Sequence, residues 1–127
     1  MPISFDFESL GGIALAKGEG SISIEEIRNA SKAFWGWASG PLYRVLWDLR
    51  TANLDLAARE IRELATFAAT MAPSSGEIRS AYVVSSDLEF GLLRIFEMVR
   101  EADGVHTLVT RDLQTAIDWL RENESRG

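Results

Sequence analysis

The chain has 127 residues, 46% of them hydrophobic and 25% charged, as in one ordinary globular domain. Its net charge of −6 argues against a nucleic-acid binder, and the absence of cysteine excludes disulfides and thiolate metal sites. No apolar run approaches the ~20 residues that span a bilayer, and the N-terminus lacks the basic region of a signal peptide, so we expect a cytoplasmic protein.

The N-terminal segment predicts a β-hairpin. Ile3, Phe5 and Phe7 alternate with polar residues, which is the period of a half-buried strand. Gly11 and Gly12 supply the positive φ angles of a tight turn, and "IALAKG" returns as the second strand. The glycine-rich stretch "KGEGSIS" that follows predicts a flexible connection.

A helix and a buried strand follow the hairpin. Ser23 lies three residues before Glu26, a spacing that predicts a capping box at the helix start. Gly40-Pro41 predicts the helix end. "YRVLWDL" is apolar on both faces, as an interior strand is. The predicted inner face of the helix consists of Ile24, Ile27, Ser31, Phe34 and Ala38.

The polar stretch "RTANLD" predicts a turn, with Asp55 capping a second helix that extends to about Met71. "APSSGE" then breaks the chain, and "RSAYVVS" predicts a fourth strand. The expected inner face of this helix is formed by Ala57, Ile61, Leu64, Ala65 and Ala68.

The last third of the chain repeats the helix–strand order. Ser86 and Glu89 predict a capping box for a helix ending near Ala102, with Gly104 as the C-cap. "VHTLVT" predicts a fifth strand, and Asp112 caps a last helix, "LQTAIDWLREN".

The predicted order is therefore β-β-α-β-α-β-α-β-α. This is an α/β fold with a five-stranded mixed, mostly parallel sheet, an N-terminal β-hairpin and four helices. Residues 1–127 form a single domain, of which 122–127 are a frayed tail.

This order of elements, the strand ending in "LWDLR" and the final helix "DLQTAIDWL" with Trp119 together resemble the STAS-like superfamily, in particular its SpoIIAA-like (STAS/SEC14-type) bacterial branch. The resemblance implies one of two roles. One is regulation through protein binding, as in anti-sigma factor antagonists, and the other is carriage of a small apolar ligand or lipid, as in Sec14-type proteins.

The resemblance also implies a phosphorylation switch, because anti-sigma factor antagonists carry a phosphorylatable serine at the start of the helix after this strand. The matching segment here is Asp55-Leu56-Ala57-Ala58, which has no hydroxyl. We therefore predict that the switch is missing and that Thr51 is a turn hydroxyl bonded to nearby backbone.

Polar residues follow three of the parallel strands, whose carboxyl ends meet at one edge of the sheet. This polar edge consists of Asp48, Arg50, Thr51, Ser85, Asp87, Arg111 and Asp112. It could be a cleft in which Arg50 or Arg111 grips an anion, or a set of helix caps and internal ion pairs. We favour the second interpretation and predict no catalytic residue, no cofactor and no metal; His106, the only histidine, is expected to be a structural or surface residue.

The helix after Ser86 is apolar around much of its circumference. We expect a core stripe of Leu88, Leu92, Ile95, Phe96 and Val99. Phe90 lies opposite that stripe, and Leu93 and Met98 flank it, with Arg94 and Glu97 as a polar rim. These residues predict an interface, most simply a two-fold homodimer; another regulatory protein is the alternative partner.

The second hypothesis is an apolar pocket between the sheet and the helices. Its expected lining is Phe34, Trp37, Phe67, Leu92 and Phe96, and a carrier would need an enclosed cavity of several hundred Å³. Our preferred reading is a non-enzymatic domain that acts by binding a protein, with the carrier or sensor of an apolar ligand as the alternative.

Overall fold

A computed structural model describes residues 3–38, 42–71, 77–102 and 104–122. Gly40-Pro41, "APSSGE" apart from Glu77, and the tail apart from Glu122 lie outside these residues. The elements in chain order are β1 (Ile3–Asp6), β2 (Ala14–Ile22), α1 (Ile24–Trp37), β3 (Leu42–Leu54), α2 (Ala58–Met71), β4 (Glu77–Val83), α3 (Asp87–Ala102), β5 (His106–Thr110) and α4 (Leu113–Arg121).

The five strands form one sheet in the order β1-β2-β3-β4-β5. β1 pairs with β2 antiparallel, and every other pair is parallel. The predicted fold class, a mixed five-stranded sheet with an N-terminal hairpin and four helices, is confirmed. Gly11 and Gly12 have positive φ angles of 52° and 77°, but β1 ends at Asp6 and β2 begins at Ala14, so a longer connection over residues 7–13 replaces the predicted tight turn.

The helices divide the protein into two cores. Because successive parallel strands lie side by side and crossovers share one hand, α1, α2 and α3 all cover the same face of the sheet. The larger core lies under these three helices and includes Phe34, Trp47, Ile61, Tyr82 and Phe96. Of the described helices, α4 alone covers the opposite face, where a smaller core contains Ile13, Leu46, Ala81, Val83, Ala116 and Leu120.

β3 is longer than the sequence predicts, because the expected turn "RTANLD" is strand as far as Leu54. Ala52 and Leu54 are buried in this extension, while Thr51 and Asn53 are exposed. The segment thus has the period of a strand, but its small and polar residues conceal it. β4 ends opposite Asp48, so the extension pairs with β2 alone.

β2 is extended to match, and the predicted flexible connection "KGEGSIS" is strand as far as Ile22. A register shift between Lys17 and Glu19 interrupts the ladder at Gly18. A Cβ at Gly18 would lie 2.6 Å from Ile22 Cδ1 and 3.0 Å from Leu49 Cδ2. A side chain at this position would therefore displace the buried side chains of Ile22 and Leu49.

The ends of the helices agree only in part with the sequence prediction. Ser23 and Glu26 form the predicted capping box of α1. α2 begins at Ala58, later than predicted, and the Ala57 N–H donates to the Glu60 carboxylate at 2.9 Å. Asp55 is not followed directly by helix, because its own N–H donates to the Ile22 carbonyl at 3.2 Å and fixes it to the end of β2.

The predicted phase of α3 is wrong. Leu88, expected in the core, is 71% exposed, and Leu93, expected beside an exposed patch, is buried. Of the predicted core stripe only Phe96 is fully buried, whereas Leu92, Ile95 and Val99 are half-buried. The buried residues of this helix are Glu89, Leu93, Phe96 and Arg100.

The phase of α3 is set by a buried carboxylate. Since β3 runs past the end of β4, the Leu54 N–H has no partner in β4. Glu89 Oε2 accepts a hydrogen bond from this N–H at 2.8 Å, and Oε1 accepts one from the Ser86 hydroxyl at 2.9 Å. A prediction from hydropathy places a glutamate on the exposed face of a helix. The predicted phase of α3 therefore turned Glu89 away from Leu54.

Candidate functional site

The polar edge forms as two small groups of side chains. In the first, Asp48 and Arg50 point to the same face of β3 and make a bidentate ion pair, with Nε–Oδ1 and NH2–Oδ2 distances of 2.9 Å. The hydrogen bond from Arg50 holds the pKa of Asp48 below its ordinary value of 3.8. The Asp48 carboxylate is therefore ionised and already occupied by an internal cation at neutral pH.

The hydroxyls of this group are also used by the fold. Thr51 Oγ1 donates to the Gly18 carbonyl at 3.2 Å, and Ser85 Oγ donates to the Arg50 carbonyl at 2.9 Å. Thr51 lies in the extension of β3 and bonds to β2, 33 residues away in the chain, so the prediction of a turn hydroxyl bonded to local backbone is wrong.

The second group lies at the starts of α3 and α4. Arg111 forms an ion pair with Asp87, and its guanidinium stands 5.3 Å from the centre of the Phe90 ring. Asp112 caps α4, accepting from the Thr115 N–H at 2.8 Å, and hydrogen bonds from Thr115 lower the pKa of Asp112. The structure thus favours caps and ion pairs over an open anion cleft at this edge.

His106 lies at the opposite end of β5, where its Nε2 is 3.6 Å from the Glu77 carboxylate. Across residues 3–38, 42–71, 77–102 and 104–122, no group of three histidine, cysteine or acidic side chains is arranged to hold a metal ion. None of the described helices combines the length and the apolar character of a membrane span.

The outer face of α3 is an exposed apolar surface. We define it by Leu88, Gly91, Ile95 and Met98, which recur at helical spacing. Leu88 is 71% exposed and Met98 66% exposed, whereas Ile95 is half-buried and also packs against the larger core. A Cβ added at Gly91 would meet no heavy atom within 4 Å, and we call this open position in the row of apolar side chains the notch.

The predicted interface residues lie in different positions relative to this surface. Met98 belongs to it, and Arg94 and Glu97 form an ion pair of 3.1 Å along its border. Phe90 stands at the margin, half-buried against the larger core. Leu93 is on the buried side and is not available to a partner.

The predicted pocket exists in a different form. A cavity of about 80 Å³ lies between the sheet and the three helices that cover it. Phe34 and Phe96 line it as predicted, but Trp37, Phe67 and Leu92 do not. Trp37 is 42% exposed and stacks on Phe7 with ring centres 4.5 Å apart, whereas Trp35 lines the cavity.

The sequence prediction missed the polar part of this cavity. Ser31, Ser80, Tyr82 and Arg100 line it together with apolar residues, and Arg100 is only 4% exposed. Ser80 and Tyr82 alternate inward on β4, which a period-2 reading of "RSAYVVS" could have found. No pattern in the sequence reveals that Arg100 turns inward, because the phase of α3 depends on Glu89.

No protein-family model matches the chain, and no curated protein matches it. Two solved structures are similar to it. One is an uncharacterised protein of the DUF3478 family with a SpoIIAA-like fold from Shewanella loihica PV-4, with 17% identity, a TM-score of 0.59, and coverage of 93% of this chain and 91% of that chain. The other is an anti-sigma factor antagonist from Mycobacterium paratuberculosis, with 14% identity, a TM-score of 0.57, and coverage of 94% and 93%.

The chain has a SpoIIAA-like, STAS-like fold. Within this fold, the segment where the sequence resemblance implies a phosphorylatable serine reads Leu56-Ala57-Ala58 and precedes or opens α2. Leu56 lines the cavity. That phosphorylation does not act at this place stays a prediction.

Trp119 has a clear role in this SpoIIAA-like fold. The Arg79 guanidinium lies 4.5 Å from the centre of its ring, and Arg79 NH1 donates to the Trp119 carbonyl at 2.8 Å. This contact fixes α4 to β4 on the face that no other described helix covers. Trp119, one of the residues on which the resemblance rested, therefore has a structural role in packing α4 against the sheet.

Proposed function

We propose that this chain is a non-enzymatic, cytoplasmic regulatory domain that acts by binding protein, and that it self-associates through the outer face of α3. The observation that carries the proposal is the exposure of Leu88 and Met98 on one side of a helix whose other side is fully packed. Covering a side chain of this size contributes about 1.5–3 kcal/mol. The name of the similar anti-sigma factor antagonist supports a regulatory role through a protein partner.

The outer face is self-complementary. If two copies of α3 cross antiparallel about a two-fold axis near the middle of the helix, Leu88 of one copy faces Met98 of the other. The same arrangement sets Ile95 of each copy opposite the open notch at Gly91. A bulky residue entering a gap left by a small one lets two helices approach closely, and antiparallel helix dipoles do not oppose this contact.

The border of the surface suits an interface. Arg94 and Glu97 form a neutral pair beside it, and the Asp87–Arg111 pair stands at the margin with Phe90. Polar rims of this kind surround apolar centres in protein interfaces. Phe90 contributes here as a rim contact, which is a smaller role than the central one that its sequence position suggested.

The lipid-carrier alternative has weaker support. Carriers enclose ligands in cavities of roughly 300–1,000 Å³. The cavity of this chain, at about 80 Å³, is well below that range. Room for an acyl chain would need α1, α2 or α3 to move away from the sheet.

Sedimentation equilibrium tests self-association. We expect the wild type to form a dimer, and Leu88→Glu or Met98→Glu to weaken dimerisation by at least about tenfold, because each buries a charge without a partner. Ala69→Glu is the matched control, since it adds the same charge to an exposed position of α2. A wild type that remains monomeric at about 100 μM would contradict self-association, as would equal effects of the three substitutions.

A further inference from the structure

The cavity under the helices has an apolar body and a polar end. Trp47, Leu49 and Phe96 are among its apolar walls, while Arg100, Ser80 and Tyr82 are the buried polar groups that reach it. Arg100 is the single charged residue in the described lining, which contains no acidic side chain. A cavity with this lining favours an anion attached to an apolar group.

The polar end is built from hydrogen-bond donors. Burial raises the pKa of Tyr82 to about 12, so its hydroxyl keeps its proton, while a hydrogen bond with Ser80 and the charge of Arg100 act in the opposite direction. A guanidinium has five N–H donors in a fixed fork, so Arg100 can hold a carboxylate oxygen while keeping its contacts in the fold.

A further hydroxyl beside this end has no hydrogen-bond partner among the described residues. Thr107 pairs with Ser80 across β4 and β5, and its Oγ1 is buried without a hydrogen bond. A buried hydroxyl is destabilising when nothing satisfies it. A polar ligand atom or a water at Ser80 would come close to Thr107.

Size limits the ligand further. A cavity of about 80 Å³ is too small for a lipid, and it is only about half the volume of the ~150 Å³ cavity that admits benzene in an engineered protein, so it cannot enclose more than one ring. The half-buried residues of the lining are Ile27, Ser31 and Trp35 on α1, Leu56, Ala68 on α2 and Ile78 on β4. Arg28 links α1 to α2, with its guanidinium 4.0 Å from the Glu63 carboxylate and 5.8 Å from the centre of the Phe67 ring.

We propose that this cavity binds a small carboxylic acid with a single aromatic ring or a branched apolar body, and that its carboxylate is held by Arg100 and by the Tyr82 hydroxyl, which itself accepts from Ser80. The apolar body lies against Trp47 and Phe96. The site is separate from the outer face of α3, because Arg100 and Phe96 are on the opposite side of that helix. The chain would thus sense a metabolite-sized anion at a site distinct from its protein-binding surface.

Calorimetric titration of the whole chain with benzoate and with benzamide, a neutral ligand of similar shape, tests the proposal. We expect benzoate to bind with a Kd below about 1 mM and at least about tenfold more tightly than benzamide, since charge-assisted hydrogen bonds are the stronger ones. No saturable binding of benzoate, or equal affinity for both ligands, would overturn the proposal without any substitution.

Two variants locate the binding. Ala68→Leu extends a lining side chain into the cavity and should weaken benzoate binding at least about tenfold, whereas Ala69→Leu, at the exposed neighbouring position, should not. Arg100→Met should abolish the preference for benzoate over benzamide. If Ala68→Leu and Ala69→Leu bind benzoate alike, the cavity is not the site. Leu88→Glu should bind benzoate normally, so failure of this site and failure of self-association are distinguishable.

Discussion

The inner and outer faces of α3 differ in a way that hydropathy does not reveal. The inner face contains two charged residues, Glu89 and Arg100, and both are buried. The outer face contains Leu88 and Met98, and both are exposed. Glu89 faces inward because its carboxylate accepts a hydrogen bond from the Leu54 N–H. Leu88 and Met98 face outward, where the described part of the chain does not cover them. We therefore propose that the inner face serves folding and the cavity, and that the outer face serves a partner.

The sharpest test of this contrast compares one leucine on each face. Leu93→Ala should lower the free energy of unfolding by about 2–5 kcal/mol, because it removes a buried side chain beside an existing cavity. Leu88→Ala should change it by less than about 0.5 kcal/mol at concentrations where the protein is monomeric. Urea denaturation measures both. Equal losses would mean that Leu88 packs in the monomer and that the two faces are not distinct.

A smaller effect is expected for the buried carboxylate that sets the helix phase. Glu89→Ala should lower the free energy of unfolding by about 1–3 kcal/mol, because it leaves the Leu54 N–H buried without an acceptor. Glu101→Ala, which removes the same charge from an exposed position of α3, serves as the control and should stay within about 0.5 kcal/mol. If the two variants lose the same stability, Glu89 does not hold α3 to β3.

The smallest expected effect has the opposite sign. Gly91 is in the middle of α3 on the outer face, and an added methyl group would meet nothing in the monomer. Gly91→Ala should raise the free energy of unfolding of the monomer by about 0.5–1 kcal/mol, since alanine is the better helix former. The same methyl group fills the notch, so dimerisation should weaken. A variant that is less stable as a monomer would show that the notch is needed for folding.

The order of elements was accessible from the sequence because its signals are local. Alternation in β1, the glycines at residues 11 and 12, and the capping box at Ser23 each depend on neighbouring residues, and each is found in the structure. The resemblance to STAS-like proteins rested on the same order and is supported by the two similar structures.

The candidate sites were less accessible because they depend on contacts distant in sequence. The extension of β3 to Leu54 requires β2 beside it, and that extension creates the N–H that Glu89 satisfies. Glu89 in turn fixes which residues of α3 face the sheet, and this places Arg100 in the cavity. The wrong prediction of where β3 ends therefore led to the wrong prediction of which face of α3 is buried. The predicted role of Phe90 and the missed role of Arg100 share this cause.

Methyl NMR of Met98 is the most direct test of the outer face. The chain has three methionines, so the Met98 ε-methyl signal can be assigned and compared with that of Met71 on α2. Broadening by a soluble paramagnetic agent should be strong for Met98 in dilute protein and should fall as concentration rises, while Met71 stays unchanged. If Met98 remains equally accessible at every concentration while the protein dimerises, the outer face of α3 is not the interface.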